Sequence, residues 1–299
     1  MRLDYIALLV YCACLACGYE LVDLLEAEFS PLQMAASRAL LAALLIFLFC
    51  GLARQPLGPA FRRLAPLAVI GVLGLGMLWA MVSLGERNVD PELTMLLVCV
   101  VPIATLIITA LPPDPQRIEG PAWLGAAIAV LGLIVVIGPT RLLDEPSALS
   151  GILTIVLGFA SFALANVLAE SKTRGLAPAA VAGVTMLSAA VALWGLVFLL
   201  EPPTDLRPSR EAWLQMLALS VVGSALPAIL VFRLVQRAGA GFMSLYGYVL
   251  PLFGIAVGWI VFGRVPRSTF LVGTPIAFVG VAIVQWARRR DTRAGGSPG

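Results

Sequence analysis

Residues 120–138 read GPAWLGAAIAVLGLIVVIG and residues 268–286 read STFLVGTPIAFVGVAIVQW. Neither run contains a charged residue, and each, coiled as a helix at 1.5 Å per residue, is about as long as a bilayer core is thick. Both carry Gly-x3-Ala-x2-Gly: Gly125, Ala129 and Gly132 in the first, Gly273, Ala277 and Gly280 in the second, at a constant offset of 148. Small residues three and four positions apart share one helix face and let a second backbone approach closely. These six are therefore expected to pack helices together, either inside one chain or between two copies in a homodimer.

The rest of the chain has the same character. Of 299 residues, 60% are hydrophobic and 12% charged, with a mean hydropathy of +0.98. Soluble domains carry about 25% charged residues, so this chain lacks the polar cover a water-exposed surface needs. Apolar runs bounded by charge, Pro and Gly fall at approximately 4–24, 32–52, 64–85, 92–112, 121–138, 149–170, 179–200, 212–235, 242–263 and 269–287. Backbone polar groups in hydrocarbon must be paired internally, which makes runs of this length helices. The expected fold is an all-α integral membrane bundle of ten transmembrane helices.

Absences narrow the chemistry. There is no histidine, which removes His-ligated metal centres, Ser-His-Asp catalysis and imidazole proton relays. Cys12, Cys14, Cys17, Cys50 and Cys99 all lie in apolar runs and are read as small apolar fillers. Cys14-x2-Cys17 has metal-like spacing but no second ligand pair. With no Walker loop and no dinucleotide-binding segment, no cofactor and no metal is expected, and energy must come from a gradient or from the cargo itself. No basic stripe of the kind nucleic acid requires is present.

Further landmarks repeat at nearly the same offset. Pro31 and Pro178 open the second and seventh runs, 147 apart, and Pro102 and Pro251 sit within the fourth and ninth, 149 apart. The chain divides into two five-helix repeats, 1–141 and 142–299. Because five is odd, the second copy enters the bilayer from the opposite side and the repeat is inverted. With the N-terminus in the cytoplasm, thirteen Arg and Lys residues fall inside and six outside, with Arg38 in a span. The positive-inside bias then places both termini in the cytoplasm.

Two inverted five-helix repeats, with a proline in each fourth helix, a Gly-rich fifth helix, and Pro31 followed seven residues later by Arg38, resemble the drug/metabolite transporter superfamily of EamA type. Cys17-Gly18 stands where the family often has Trp-Gly, and Pro115 and Arg264 where it often has Glu, so the resemblance implies no particular cargo. It does imply a midplane cavity lined chiefly by helices one, three, four, six, eight and nine. On those helices the candidate cavity residues are Tyr11, Glu20, Trp79, Ser83, Ser161, Asn166, Tyr246 and Tyr248, with Arg38 from helix two. Ser220, Ser224 and Ser244 lie on the same helices.

Glu20 and Arg38 are intramembrane charges at comparable depth, which makes them both a candidate ion pair and a candidate site. Glu86, beside Arg87, Asp90 and Glu92, reads as part of a solvated external loop. Pro102, Pro227 and Pro251 interrupt the helical hydrogen-bond ladder and are candidate hinges. The expected function is inner-membrane secondary transport of a small metabolite or amphipathic compound, outward, by alternating access with proton coupling. The alternatives are a membrane-embedded lipid-modifying enzyme or a non-transporting membrane subunit. The expected partners are a small-molecule cargo and the lipid bilayer.

Overall fold

The computed structural model describes all residues except Met1, Asp90, 112–119, 138–145, 202–207, Tyr248, Leu252, 254–267 and 295–299. Hydrocarbon thickness sets helix length, and the helices follow the apolar runs closely: α1 Arg2–Leu25, α2 Pro31–Leu52, α3 Leu64–Gly85, α5 Gly120–Ile137, α6 Pro146–Lys172, α7 Pro178–Leu200, α8 Arg210–Ala238 and α10 Ser268–Ala294. The fourth run is a broken helix, α4, formed by Pro91–Leu97 and Val100–Ala110. The ninth, α9, opens with Ala240–Met243 and is helical again at 249–251, and its remainder lies mostly outside the described residues. A short helix, Gly58–Phe61, occupies the connection before α3.

Among the described residues, seven helices are long and apolar enough to cross a membrane, while α5 and α10 contain shorter apolar stretches. The chain is a multi-pass, all-helical membrane protein, and a count of ten crossings goes beyond what these residues establish. Its flanks suit lipid: Leu44, Leu48, Leu153, Val191, Leu271 and Val279 are all more than half exposed, apolar area that water would penalise and acyl chains would not.

Small residues decide how the helices meet. α2 presents Ala35, Ala36, Ala39, Ala42 and Ala43, and α7 presents Ala179, Ala180, Ala182, Ala189 and Ala190, all buried as these two helices pack together. α5 and α10 pair through the glycines of the opening motifs. A Cβ on Gly125 would strike the Gly280 carbonyl, and one on Gly132 would strike the backbone of Ala277 and the Gly273 carbonyl. Ala129 lies against Gly280 in the same seam. The motif faces thus meet each other within one chain.

Which helix ends lie together is fixed by polar contacts. Asp4, Arg63, Lys172, Thr173, Gln236 and Arg237 meet at one end, through contacts such as Arg237 Nε to Asp4 Oδ1 at 3.2 Å and Arg63 Nη1 to the Lys172 carbonyl at 3.1 Å. Glu28, Ser30, Arg87, Glu201 and Ser209 meet at the other. The start of α1 shares its end with the finish of α6, so the two repeats run in opposite senses.

Two contacts carry the repeat into three dimensions. The hydrogen-bond ladder widens to a π turn at Val72–Gly76 in α3 and at Val221–Ala225 in α8, 149 positions apart. Gly74 of the first turn packs on Ala165 of α6, and Gly223 of the second packs on Gly18 of α1. Ala165 and Gly18 are themselves 147 apart, so the α3–α6 and α1–α8 crossings are one contact built twice.

Candidate functional site

A π turn leaves carbonyls without their ordinary i+4 donors, and such turns collect at functional sites. In each turn a side chain reaches one of the backbone carbonyls. Ser161 Oγ donates to the Leu73 carbonyl at 2.7 Å. In α8 the residue four beyond Gly223 is Pro227, which has no N–H to give, and Arg38 supplies the missing donor: Nη2 reaches the Gly223 carbonyl at 3.3 Å while Nε donates to Ser224 Oγ at 3.1 Å. The guanidinium carbon also stands 4.0 Å from the centroid of the Trp79 ring, within cation–π range. Three helices, α2, α3 and α8, therefore hold one cation in a single orientation.

Arg38 sits on the wall of a cavity of about 340 Å³ lined by both repeats. Its floor is aromatic. Tyr246 of α9 meets Tyr11 of α1 edge-on at 5.4 Å and Phe162 of α6 at 5.9 Å, and Tyr11, Phe162 and Tyr246 are all buried. Tyr19, Leu78, Trp79, Phe159, Pro227 and Leu250 continue the wall. At the other end stand Glu26, Ser83, Glu86 and Arg87, with Glu26 and Arg87 exposed, so the cavity opens toward the Glu28–Glu201 end of the bundle.

Beneath the floor the opposite end is closed. Gln236 Nε2 donates to the Thr173 carbonyl at 3.1 Å, the Ala240 amide donates to Glu170 Oε2 at 3.0 Å, and Arg237 pairs with Asp4. Tyr5 and Phe242 stack edge-on beside that pair, 5.1 Å between centroids.

The arrangement matches known proteins along its length. A model of the EamA-like transporter family matches residues 3–138 and again 149–286. The chain belongs to the EamA-like transporter family. Two Bacillus subtilis (strain 168) proteins named as uncharacterized transporters are similar to it: YdfC, 24% identical with 85% of this chain and 81% of that one covered, and YoaV, 20% identical with 85% and 87% covered. A solved crystal structure superposes with a TM-score of 0.69 at 18% identity, covering 96% of this chain and 97% of its own, a likeness of fold. The protein is a membrane transporter of this family, and the alternative of a lipid-modifying enzyme draws no support from its relatives.

Of the residues picked from the sequence, Tyr11, Arg38, Trp79, Ser83 and Tyr246 line the cavity, and Ser224 lines it as Arg38's acceptor. Glu20, Ser161 and Asn166 do not. The lining residue at that level of α1 is Tyr19, and Glu20 is rotated off it by one residue step; Arg38 donates to Ser224 and Gly223 of α8. Ser161 is spent on the Leu73 carbonyl and Asn166 is buried inside α6. Tyr248 lies outside the described residues.

Of the candidate hinges, Pro227 lies where the α8 ladder lacks an N–H, and Pro102 is placed differently. Pro102 falls in the first turn of the Val100–Ala110 segment, where a missing N–H breaks no bond, and the interruption of α4 lies before it, at Val98–Cys99. There α4 crosses α9: Cys99 Sγ donates to the Gly247 carbonyl at 3.3 Å, and Gly247 lies against Pro102. Pro251 lies in helical backbone a turn further along α9. Glu86 and Arg87, read as loop, are cavity residues. No pattern in the sequence separates them from a solvated turn, because their place depends on how far α3 stands from α1 at that end.

Proposed function

We propose that this transporter moves a small metabolite or amphipathic compound across a bacterial inner membrane by alternating access, outward and in exchange for protons. The observation that carries the reading is a cavity between two inverted repeats, open at one end and closed at the other. Inverted repeats with a site at their interface serve transport by exchanging the conformations of the two halves. The positive-inside count assigns the closed end, with Asp4 and Arg237, to the cytoplasm.

The cavity suits amphipathic cargo. Aromatic and aliphatic side chains form most of the wall, and Arg38 and Ser224 offer polar groups at one fixed place. A volume of about 340 Å³ lies at the lower end of the range for small-molecule sites. Among the described residues the carboxylates in contact with it are Glu26 and Glu86, so a proton exchanged against cargo rides on these rather than on Glu20.

Proteoliposomes loaded with amino acids, nucleosides and cationic drugs test the reading. Protein-dependent efflux that responds to an imposed pH gradient supports it. Efflux indifferent to the gradient removes the proton, and folded protein that moves nothing across a broad panel shifts the reading to a non-transporting subunit.

A further inference from the structure

The two repeats display one sequence pattern in two conformations at once. At offsets of 147 for α1 against α6 and 149 for α3 against α8, each residue around the open mouth has a counterpart at the closed end: Glu26 matches Thr173, Glu86 matches Val235, and Arg87 matches Gln236. The same offsets relate Gly18 to Ala165 and Gly74 to Gly223, whose contacts are equivalent. At the closed end Thr173 and Val235 are buried, and Gln236 bonds to Thr173. At the open end Glu26 and Arg87 are exposed and both line the cavity.

Building on the alternating-access reading, we propose that Glu26 and Arg87 are the outer gate. When the repeats exchange conformations, the outer ends of α1 and α3 take up the spacing now seen between α6 and α8, and Glu26 and Arg87 meet across the mouth as Thr173 and Gln236 do at the inner end. Arg87 can make the exchange cheaply. Its present partner is Glu201, at 3.9 Å, too long for a hydrogen bond, and its side chain is 55% exposed. The Glu201 side chain is buried and holds a hydrogen bond from Ser30 Oγ that does not involve Arg87, while a pair formed between Glu26 and Arg87, both exposed, contributes little net stability, which suits a contact that must form and break in every cycle. The inner end uses the same device in Asp4–Arg237.

The cross-linking test needs no knowledge of the cargo. Cys14 and Cys17 are replaced by alanine, the buried Cys12, Cys50 and Cys99 are kept, and Glu26→Cys, Arg87→Cys and Gln236→Cys are combined. Under mild oxidation positions 26 and 87 should form a disulfide, which requires Cβ atoms about 4 Å apart, and the cross-linked protein should react faster at position 236 with an impermeant thiol reagent applied from the cytoplasmic side. If position 236 becomes reactive while 26 and 87 never link, the bundle alternates but this gate is wrong. If position 236 stays closed under every condition, alternation fails and the gate with it.

A charge exchange in the native background covers the case in which the cysteine variant does not fold. Glu26→Arg and Arg87→Glu should each slow turnover about two- to fivefold, the span of an exposed ion pair, and together restore part of the loss. Strict additivity overturns the pairing.

Discussion

Replacing Gly280 by alanine tests the α5–α10 seam and, through it, the repeat. A Cβ built on Gly280 collides with the backbone nitrogen of Ala129 and the carbonyl of Gly125. Backbone cannot swing aside as a side-chain tip can, so the helices must separate. Forcing one extra methyl into a packed contact costs about 1–3 kcal/mol, while alanine in place of a helical glycine returns about 0.5–1 kcal/mol. The net expectation is a loss of about 1–2 kcal/mol. Gly51 provides the control, since nothing lies within 4 Å of a Cβ there, and Gly51→Ala should be neutral or stabilising.

The seam also relates to itself under the repeat, because Gly132 matches Gly280. Gly132→Ala, which meets Ala277 and Gly273, should therefore destabilise with the same sign and similar size. Equilibrium unfolding of purified protein in mixed micelles, titrated with SDS, measures all three. If Gly280→Ala behaves like Gly51→Ala, the close approach of these helices is wrong.

Other expectations follow from the site and the ends. Arg38→Lys keeps the charge but loses the fork that bonds Gly223 and Ser224 together and the flat face over Trp79, so cargo efflux by folded protein should fall with Arg38→Lys nearly as far as with Arg38→Gln. Equal efflux in wild type and Arg38→Lys would show that only the charge matters. Glu86→Gln should weaken the response of efflux to an imposed pH gradient more than Glu20→Gln, compared as ratios of efflux with and without the gradient; the reverse order returns the proton to Glu20. Asp4→Asn breaks the pair with Arg237 and should raise thiol labelling of a cysteine at Gln236 from the cytoplasmic side, and unchanged labelling means the pair does not hold that end shut. For topology, single cysteines at Arg62 and at Ser209 should label from opposite sides of the membrane, and labelling from one side contradicts the inverted arrangement.

Much of this architecture was legible in the chain because a bilayer leaves few choices. Backbone groups in hydrocarbon must be satisfied within the helix, and the span length follows from membrane thickness. The runs at 32–52, 64–85 and 179–200 consequently differ by no more than a residue from Pro31–Leu52, Leu64–Gly85 and Pro178–Leu200. The offset of 147 to 149 was equally visible, since prolines and glycines are read directly from the sequence, and the Gly223–Gly18 and Gly74–Ala165 contacts carry the same spacing.

What the chain alone did not settle is rotation and register between helices. Sequence position fixes depth along a helix, but each residue turns the side chain by about 100°. Tyr19 therefore lines the cavity and Glu20, at the same depth, does not. The π turns are set by packing, since VLGLG and VVGSA look like any small-residue stretch until Ala165 and Gly18 press against them. Arg38 found its partners only once α8 brought a carbonyl without a donor, freed by Pro227, beside it. Whether Glu86 and Arg87 meet bulk water or a binding cavity depends on the separation of α1 and α3 at one end of the bundle, a distance set by packing across both repeats.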